Sequence, residues 1–389
     1  FNPFERMTPE DPCPIAVDYR TGTPQRLGCW VNLYPGFSSD DRTAFRLDVD
    51  FFAGKHSLRA GVDAESNTSD GIVRFSGGAR YTYYLNGAEG MPPESFRFPE
   101  LPWDQSLARV QHMDRSGSFE VISNAAYLQD SWVVRPNLTL NFGVRWERFE
   151  SKNTLGETFM NVSDQYAPRV GAVWDLGGSG RSKLYGHLGL YHLPMSTEVA
   201  IYGAGGVSYA FGWYPLVGEI NPDGSPGALG DELQYVVLAD GEVPDTRENL
   251  DEDFEPMSQS ELIVGFERLV GERWSLGVRG VVRQFNEIIE DVSIDEALWR
   301  VYGVECLGPA AIAAREHCLG VFRITNPGTA FTGWYDLDGD GELDPISLTA
   351  DELGYPDAER DYLALEFTVQ RRFAVKWRLR SSYTWSQIN

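Results

Sequence analysis

The fold is decided by residues 138–147, which read LTLNFGVRWE. Every even-numbered position in this stretch is apolar, and every odd-numbered position is small, polar or charged. Successive side chains of a β-strand point to opposite faces, so this period of two predicts a strand with one apolar and one polar face. Soluble strands average ~5–6 residues, whereas a tilted transmembrane strand needs ~9–11, and this stretch has the transmembrane length.

The same alternation recurs along the chain, for example in WRLRSSYTW at residues 377–385. The predicted strands pair as 41–53 with 56–67, 118–133 with 137–150, 165–176 with 182–193, 258–269 with 273–290, and 360–373 with 376–388. Turns within a pair are short, and the connectors between pairs are long, notably 67–118, 193–258 and 290–360. Short turns on one side and long loops on the other are typical of outer-membrane barrels. The sequence therefore predicts an all-β, transmembrane antiparallel β-barrel, present in part. A soluble β-sandwich or propeller with long strands is the alternative.

Composition narrows the function classes. The formal charge is −24, which disfavours a nucleic-acid partner because phosphate binding needs clustered positive charge. No apolar run approaches the ~20 residues of a membrane helix. Residues 217–256 hold twelve acids against Arg247, and residues 336–361 hold ten against Arg360. The acidity is therefore concentrated in two connectors, where solvation is its usual meaning.

Two adjoining segments carry a family resemblance. Residues 127–132 (YLQDSW) and 136–147 (PNLTLNFGVRWE) resemble the most diagnostic barrel hairpin of TonB-dependent outer-membrane receptors. Residues 166–175 (YAPRVGAVWD) resemble the strand that follows it, and residues 261–268 and 363–372 resemble later strands. The similarity is greatest to the Oar-like branch. The resemblance implies a barrel of about 22 strands, filled by an N-terminal plug and energised through TonB.

The resemblance sets the expected function and location. We expect a bacterial outer-membrane transporter or secretion pore, with a ligand taken up through extracellular loops and a plug that is not present in this sequence. The expected partners are outer-membrane lipid and lipopolysaccharide, a TonB-type energising complex and other surface proteins. Residues 1–40 are interpreted as a disulfide-bearing extracellular segment and 41–389 as barrel, part of a longer protein.

Two other function classes stay open. One is a structural or adhesive outer-membrane protein with calcium-stabilised acidic surface loops. The other is a secreted β-rich hydrolase, although the five histidines are scattered and there is no GxSxG elbow or HExxH motif. We therefore expect no enzymatic activity.

The sharpest chemical motif is YDLDGDGELD at residues 335–344. It places three aspartates at positions 1, 3 and 5 of a loop, a glycine at position 6, a backbone carbonyl at 7 and an acid at 9. The predicted calcium ligands are Asp336, Asp338, Asp340, Glu342 and Asp344. Position 12 is Ser347 and not the glutamate of an EF-hand, so the motif is closer to short extracellular calcium loops. An acidic β-turn without an ion is the alternative.

The four cysteines form two local pairs, which favours disulfides in an oxidising compartment. The predicted pairs are Cys13 with Cys29 and Cys306 with Cys318, and four reduced cysteines are the alternative. Together with the calcium motif, the second pair predicts that connector 290–360 is an ordered cap on the outer face.

The alternation also predicts an orientation for the deciding strand. The side chains expected to face lipid are Leu138, Leu140, Phe142, Val144 and Trp146, and those expected to face the lumen are Thr139, Asn141, Arg145 and Glu147.

Overall fold

The computed structural model describes residues 14–28, 34–35, 39–71, 73–87, 98–193, 204–308, 321–374 and 376–389. Within them the strands are β1 (Ile15–Asp18), β2 (Gln25–Gly28), β3 (Tyr34–Pro35), β4 (Ser39–Ala53), β5 (His56–Gly71), β6 (Val73–Arg74), β7 (Arg80–Leu85), β8 (Ser106–Asp114), β9 (Gly117–Arg135), β10 (Leu138–Lys152), β11 (Thr158–Asp175), β12 (Ser182–His192), β13 (Ser208–Pro215), β14 (Gln234–Asp240), β15 (Ser258–Val270), β16 (Trp274–Glu287), β17 (Glu290–Ser293), β18 (Phe322–Thr325), β19 (Phe331–Tyr335), β20 (Asp344–Leu348), β21 (Asp361–Ala374) and β22 (Trp377–Ile388). The helices are α1 (Thr246–Asn249), α2 (Asp295–Tyr302) and α3 (Ala350–Leu353), with 3₁₀ turns at Ser76–Gly78 and Glu305–Leu307. None of the helices in these ranges is long and apolar enough to cross a bilayer.

Ten long strands form one antiparallel sheet, called here the wall. Its order is β22-β21-β16-β15-β12-β11-β10-β9-β5-β4, so each strand lies beside the strand of the wall that precedes or follows it in sequence. The sheet does not close on itself, and β4 and β22 are its edges within the described ranges. These are the ten strands predicted from period-two alternation, and the predicted β-barrel architecture, present in part, is confirmed.

The short turns follow from local backbone chemistry. The β4–β5 and β15–β16 hairpins each turn through a glycine with positive φ, Gly54 at 60° and Gly271 at 62°. A side chain would be strained in that left-handed region, which is why glycine is favoured there. Because consecutive strands of the wall are antiparallel, all five of its hairpin turns lie at one end of the strands and the long connectors lie at the other.

Strand register divides the wall into two chemically different faces. In β10, Phe142 lies opposite Val170 of β11 and Val144 lies opposite Leu128 of β9, and these side chains share one face. Phe142 and Val144 are each 45% exposed although both are apolar. We call this the apolar face. Arg145 points to the opposite face, called here the polar face.

The strands extend beyond the alternating segments at the connector end. β11 begins at Thr158 and not at residue 165, and β5 continues to Gly71 and not to residue 67. In β5 the added residues 68–71 are polar or glycine, and in β11 the adjacent Phe159 and Met160 are both buried, so neither extension shows the period-two signal. These extensions raise the connectors above the apolar band.

The connectors contain their own sheets. β14, β13, β8, β6 and β3 form a sheet in that order, and β7 also pairs with β8. The β1–β2 hairpin packs on it through a cluster that includes Ala16, Tyr83 and Ala108. Connectors 67–118 and 193–258 thus share one folded unit, which also includes part of segment 1–40.

Connector 290–360 folds around an apolar core. Helix α2 and the antiparallel strand pairs β17–β18 and β19–β20 bury Leu298, Phe331 and Leu348, each 0% exposed. We call this folded connector the cap. The cap is ordered by the burial of apolar side chains, which the sequence pattern did not indicate.

Candidate functional site

The polar face carries a groove of about 710 Å³, bounded by β4, β5, β9, β10, β11 and β12. Its lining includes Arg59, Asp63, Tyr127, Arg145, Arg169 and His187. Charged and aromatic side chains on a continuous sheet surface provide hydrogen-bond donors, acceptors and π-faces, so the groove can contact a polar solute.

Arg145 is the centre of the best-connected ion-pair network in the groove. Its two terminal nitrogens donate to Asp63 at 2.7 and 3.0 Å, and its Nε donates to Glu147 at 2.7 Å. Bidentate pairing fixes the guanidinium in one plane. Arg145 and Glu147 both lie on the polar face of β10, and the Arg145–Asp63 pair ties β10 to β5 across the intervening strand β9.

A second network lies nearer the β4 edge. Tyr127 donates to Asp48, which also accepts a hydrogen bond from Arg46 at 2.8 Å. Arg59 binds Asp50 through two hydrogen bonds of 2.6 and 2.9 Å. The acids of this region are thus neutralised by neighbouring arginines.

A histidine–aspartate pair lies on the apolar face near the short turns, where the sequence pattern did not indicate any charge. His56 Nδ1 is 2.6 Å from Asp130 Oδ2, and the His56 ring stacks on Trp132 with centroids 5.5 Å apart. Asp130 lies directly opposite Leu58 and Phe142, both apolar. The pair lies close to the short turns, where an interfacial belt would place a tryptophan.

The sheet in connectors 67–118 and 193–258 contains an arginine surrounded by aromatic rings. The Arg109 guanidinium lies 5.7 Å from the ring centroids of Phe211 and Trp213 and 6.0 Å from that of Tyr84. Burial lowers the pKa of Arg109, and the neighbouring Arg80 lowers it further. The aromatic faces stabilise the charge through cation–π contacts.

Two buried polar residues tie the connectors to each other. Asp251, 3% exposed, accepts hydrogen bonds from the Thr325 hydroxyl at 2.6 Å and from the Thr332 backbone at 3.1 Å. Asn326, 4% exposed, donates to the carbonyls of Glu255 and Ile288, each at 2.9 Å. Connectors 193–258 and 290–360 are therefore joined by satisfied buried hydrogen bonds, which are costly to break.

Among the described residues of the cap, Arg323 is the most buried cation, at 5% exposure. Burial lowers its pKa to about 10, and the nearby Glu248 carboxylate partly offsets this by favouring the charged form. Burial raises the pKa of Glu248 in turn. Arg323 therefore remains charged at neutral pH inside the cap.

The structure brings three of the five predicted calcium ligands together. The carboxylates of Asp336, Asp338 and Asp340 each offer an oxygen within 4.8 Å of the others. Asp336 also accepts backbone hydrogen bonds from residues 339, 340 and 341, which closes the loop into a tight turn. The carboxylates of Glu342 and Asp344 lie outside this group, and Asp344 begins β20. The backbone carbonyl of Glu342, which is the group expected to bind calcium, stays a prediction.

The predicted disulfides fall mostly outside the described ranges. Cys13, Cys29 and Cys318 lie there, whereas Cys306 is half-buried in the 3₁₀ turn Glu305–Leu307 against the cap core. Both pairings stay predictions.

Comparison with known proteins agrees with the fold. Residues 21–165 match a family model described as an outer membrane beta barrel domain. Over 386 residues the chain is 23% identical to the TonB-dependent transporter Oar of Myxococcus xanthus. That alignment covers 91% of this chain and 32% of Oar, so the chain spans about a third of the relative's length.

Solved structures of two transporters also align with the chain. The transporter YddB from Escherichia coli aligns with a TM-score of 0.47 at 13% identity, over 96% of this chain and 37% of YddB. The copper transporter OprC aligns with a TM-score of 0.42 at 14% identity, over 90% of this chain and 39% of OprC. The wall, the family-model match and the similarity to Oar together confirm the predicted resemblance: this is an outer-membrane β-barrel chain similar to the TonB-dependent transporters.

Proposed function

We propose that the protein moves a polar solute across the outer membrane in the manner of a TonB-dependent transporter. The observation that carries the proposal is the groove on the polar face, in a chain similar to Oar. Ion pairs such as Arg145–Asp63 and Arg59–Asp50 hold most of its charged side chains in fixed positions, so the surface is pre-organised for a polar solute. The apolar face meets lipid, and the polar face forms part of the lumen.

The folded connectors supply the capture step in this proposal. They lie at the end of the wall opposite the short turns, which is the extracellular end in outer-membrane barrels. Asp251 and Asn326 hold two of them together, so a solute would meet a shaped surface and not a set of independent loops. Passage then requires energy from a TonB-type complex acting on a plug.

Comparing solutes in cells with and without the full-length protein tests the transport function. Mass spectrometry of the medium and the periplasm is expected to reveal at least one compound whose distribution depends on the protein. A protonophore should abolish the difference, because the proton-motive force energises the TonB system. A variant with residues 290–360 replaced by a short Gly-Ser turn tests the capture step, because it should assemble in the outer membrane but lose capture. If no compound is redistributed, and the cells without the protein adhere less to surfaces, the transport function is wrong.

A structural or adhesive role is the second candidate, and the acidic turn of the cap favours it. Three carboxylates with oxygens within 4.8 Å of one another repel, and a bound cation would relieve that repulsion. Calcium prefers carboxylate and carbonyl oxygens, and extracellular sites bind it at about 10⁻⁴–10⁻³ M. In this proposal the ion stiffens the cap for contact with lipopolysaccharide or another surface protein.

Limited proteolysis tests the calcium site. Cleavage within residues 330–350 is expected to be about tenfold faster in chelator than in millimolar calcium, which corresponds to roughly 1.4 kcal/mol of local stabilisation by binding. Asp338→Asn should remove the calcium effect. Asp351→Asn, which changes an exposed acid of α3 outside the cluster, should retain it. Equal cleavage rates with and without chelator would identify the motif as an acidic turn only.

A further inference from the structure

Cations on the polar face are generally matched by acids. Arg145 binds Asp63, Arg283 binds Glu261 at 2.6 Å, and Arg279 binds Glu366 through two nitrogens. Such pairing neutralises the wall locally and uses the hydrogen-bonding capacity of each guanidinium.

Arg169 in β11 departs from this pattern. Its guanidinium carbon lies 4.3 Å from the centroid of the Tyr191 ring, and its Nε is buried without an acceptor. Among the residues that the structure describes, no carboxylate lies within ion-pair distance of Arg169, and no acceptor receives a hydrogen bond from it. The acid closest along the register, Glu261, is held by Arg283. The charge of Arg169 is therefore uncompensated.

Strand register explains why this cation lacks an acid. Arg169 lies directly between Gly143 of β10 and Gly189 of β12, so neither neighbour offers a side chain. A Cβ on Gly189 would lie 3.2 Å from Arg169 Cγ and from Tyr191. Glycine thus lets the two side chains lie flat against the sheet and leaves the groove open above them.

The surroundings of Arg169 supply further polar groups. His187 Nε2 lies 2.8 Å from the Tyr191 hydroxyl, and both residues line the groove with Arg169. Asn141 also lines it, and its side-chain oxygen already accepts a hydrogen bond from Ser131, which leaves its amide NH₂ as a donor. A stacked guanidinium beside amide and imidazole groups matches the requirements of an oxyanion.

We propose that Arg169 is the anchor of an oxyanion-binding site in the groove, which takes a carboxylate or phosphate group of a small solute. This inference rests on the proposed function, whose solute it assigns to the anionic class. Arg169 lies six residues from the end of β11, or about 20 Å along the strand, which places the site well inside the wall and away from the turns.

Titration calorimetry of the full-length protein in lipid nanodiscs tests the site, with succinate and inorganic phosphate as the two probes. At least one probe is expected to bind, and the probe that binds identifies the oxyanion class. Arg169→Gln should weaken binding about 10- to 100-fold, since a hydrogen bond to a charged group is lost. Arg169→Lys should recover only part of it, because an ammonium keeps the charge without the planar fork.

Lys183→Gln is the matched control, because it removes one positive charge from the same face outside the groove lining. Its binding constants should stay within twofold of the wild type. The site is refuted if neither probe binds, if Lys183→Gln weakens binding as much as Arg169→Gln, or if Arg169→Gln lowers the unfolding midpoint without any probe. The last result would mean that another part of the protein satisfies the guanidinium. If transport is found and Arg169→Gln leaves it unchanged, the site is wrong while the transport function stands.

Discussion

Phe142→Arg is expected to destabilise the wall by about 2–4 kcal/mol, the usual cost of an arginine at the middle of the lipid face of a barrel. Phe142 is 45% exposed on the apolar face and lies midway between Leu138 at the strand end and Trp146. The charge of the introduced arginine would have to enter the hydrocarbon of the bilayer or distort it. Urea unfolding of the full-length protein in lipid vesicles measures the loss.

Two further variants make this test specific. Asn141→Arg lies next to Phe142 in sequence but on the polar face, opposite Ser131 and Gly171, and should cost about 0.5 kcal/mol or less. Phe142 also lies opposite Asp130, which an introduced arginine could approach. Val170→Arg, at the same height opposite Phe142 and Leu188, has no such acid and should cost as much as Phe142→Arg. Equal tolerance of Asn141→Arg and Val170→Arg would refute the orientation.

The wall could be predicted from sequence because the bilayer imposes a regular pattern. Each strand must present apolar side chains to lipid at every second residue, so the segment at 376–388 was predicted to within one residue of β22. Above the bilayer both faces meet water or protein, and the pattern ends although the strand continues. This is why β11 extends seven residues further than the alternation indicated.

The connectors could not be predicted in the same way. Strand β7 reads RYTYYL and has no simple alternation, because both of its faces are partly buried in a folded unit. The cap core joins residues from α2, β19 and β20, which are up to about 50 positions apart in sequence. Such contacts depend on tertiary packing, which no local pattern encodes.

The groove shows a similar limit. The Arg145–Asp63 ion pair joins residues 82 positions apart in sequence, and the isolation of Arg169 follows from glycines on two neighbouring strands. A sequence identifies the arginine but not its cross-strand neighbours. The acidic motif was easier to identify, since its three aspartates are local, although the Asp344 carboxylate does not join them.

Leu298→Ala is expected to open the cap, because Leu298 is 0% exposed in the cluster that joins α2 to both strand pairs of the cap. Truncating a fully buried leucine costs about 2–5 kcal/mol, from lost transfer energy and the cavity left behind. That is a large part of the stability available to a unit of this size. Hydrogen exchange in β18, β19 and β20 should rise by one to three orders of magnitude, while exchange in the wall stays unchanged.

Val301→Ala provides the control on the same helix, since Val301 is 40% exposed and its truncation should change exchange less than twofold.

The comparison of Leu298→Ala with chelator treatment separates two sources of order in the cap. The sequence alone indicated that a disulfide and a calcium ion hold residues 290–360, whereas the structure adds a hydrophobic core. If the core dominates, Leu298→Ala opens the cap even in millimolar calcium, and chelator on the wild type affects only the turn around Asp338. If chelator alone exposes β18 to β20 while Leu298→Ala does not, the ion holds the cap and the core is secondary.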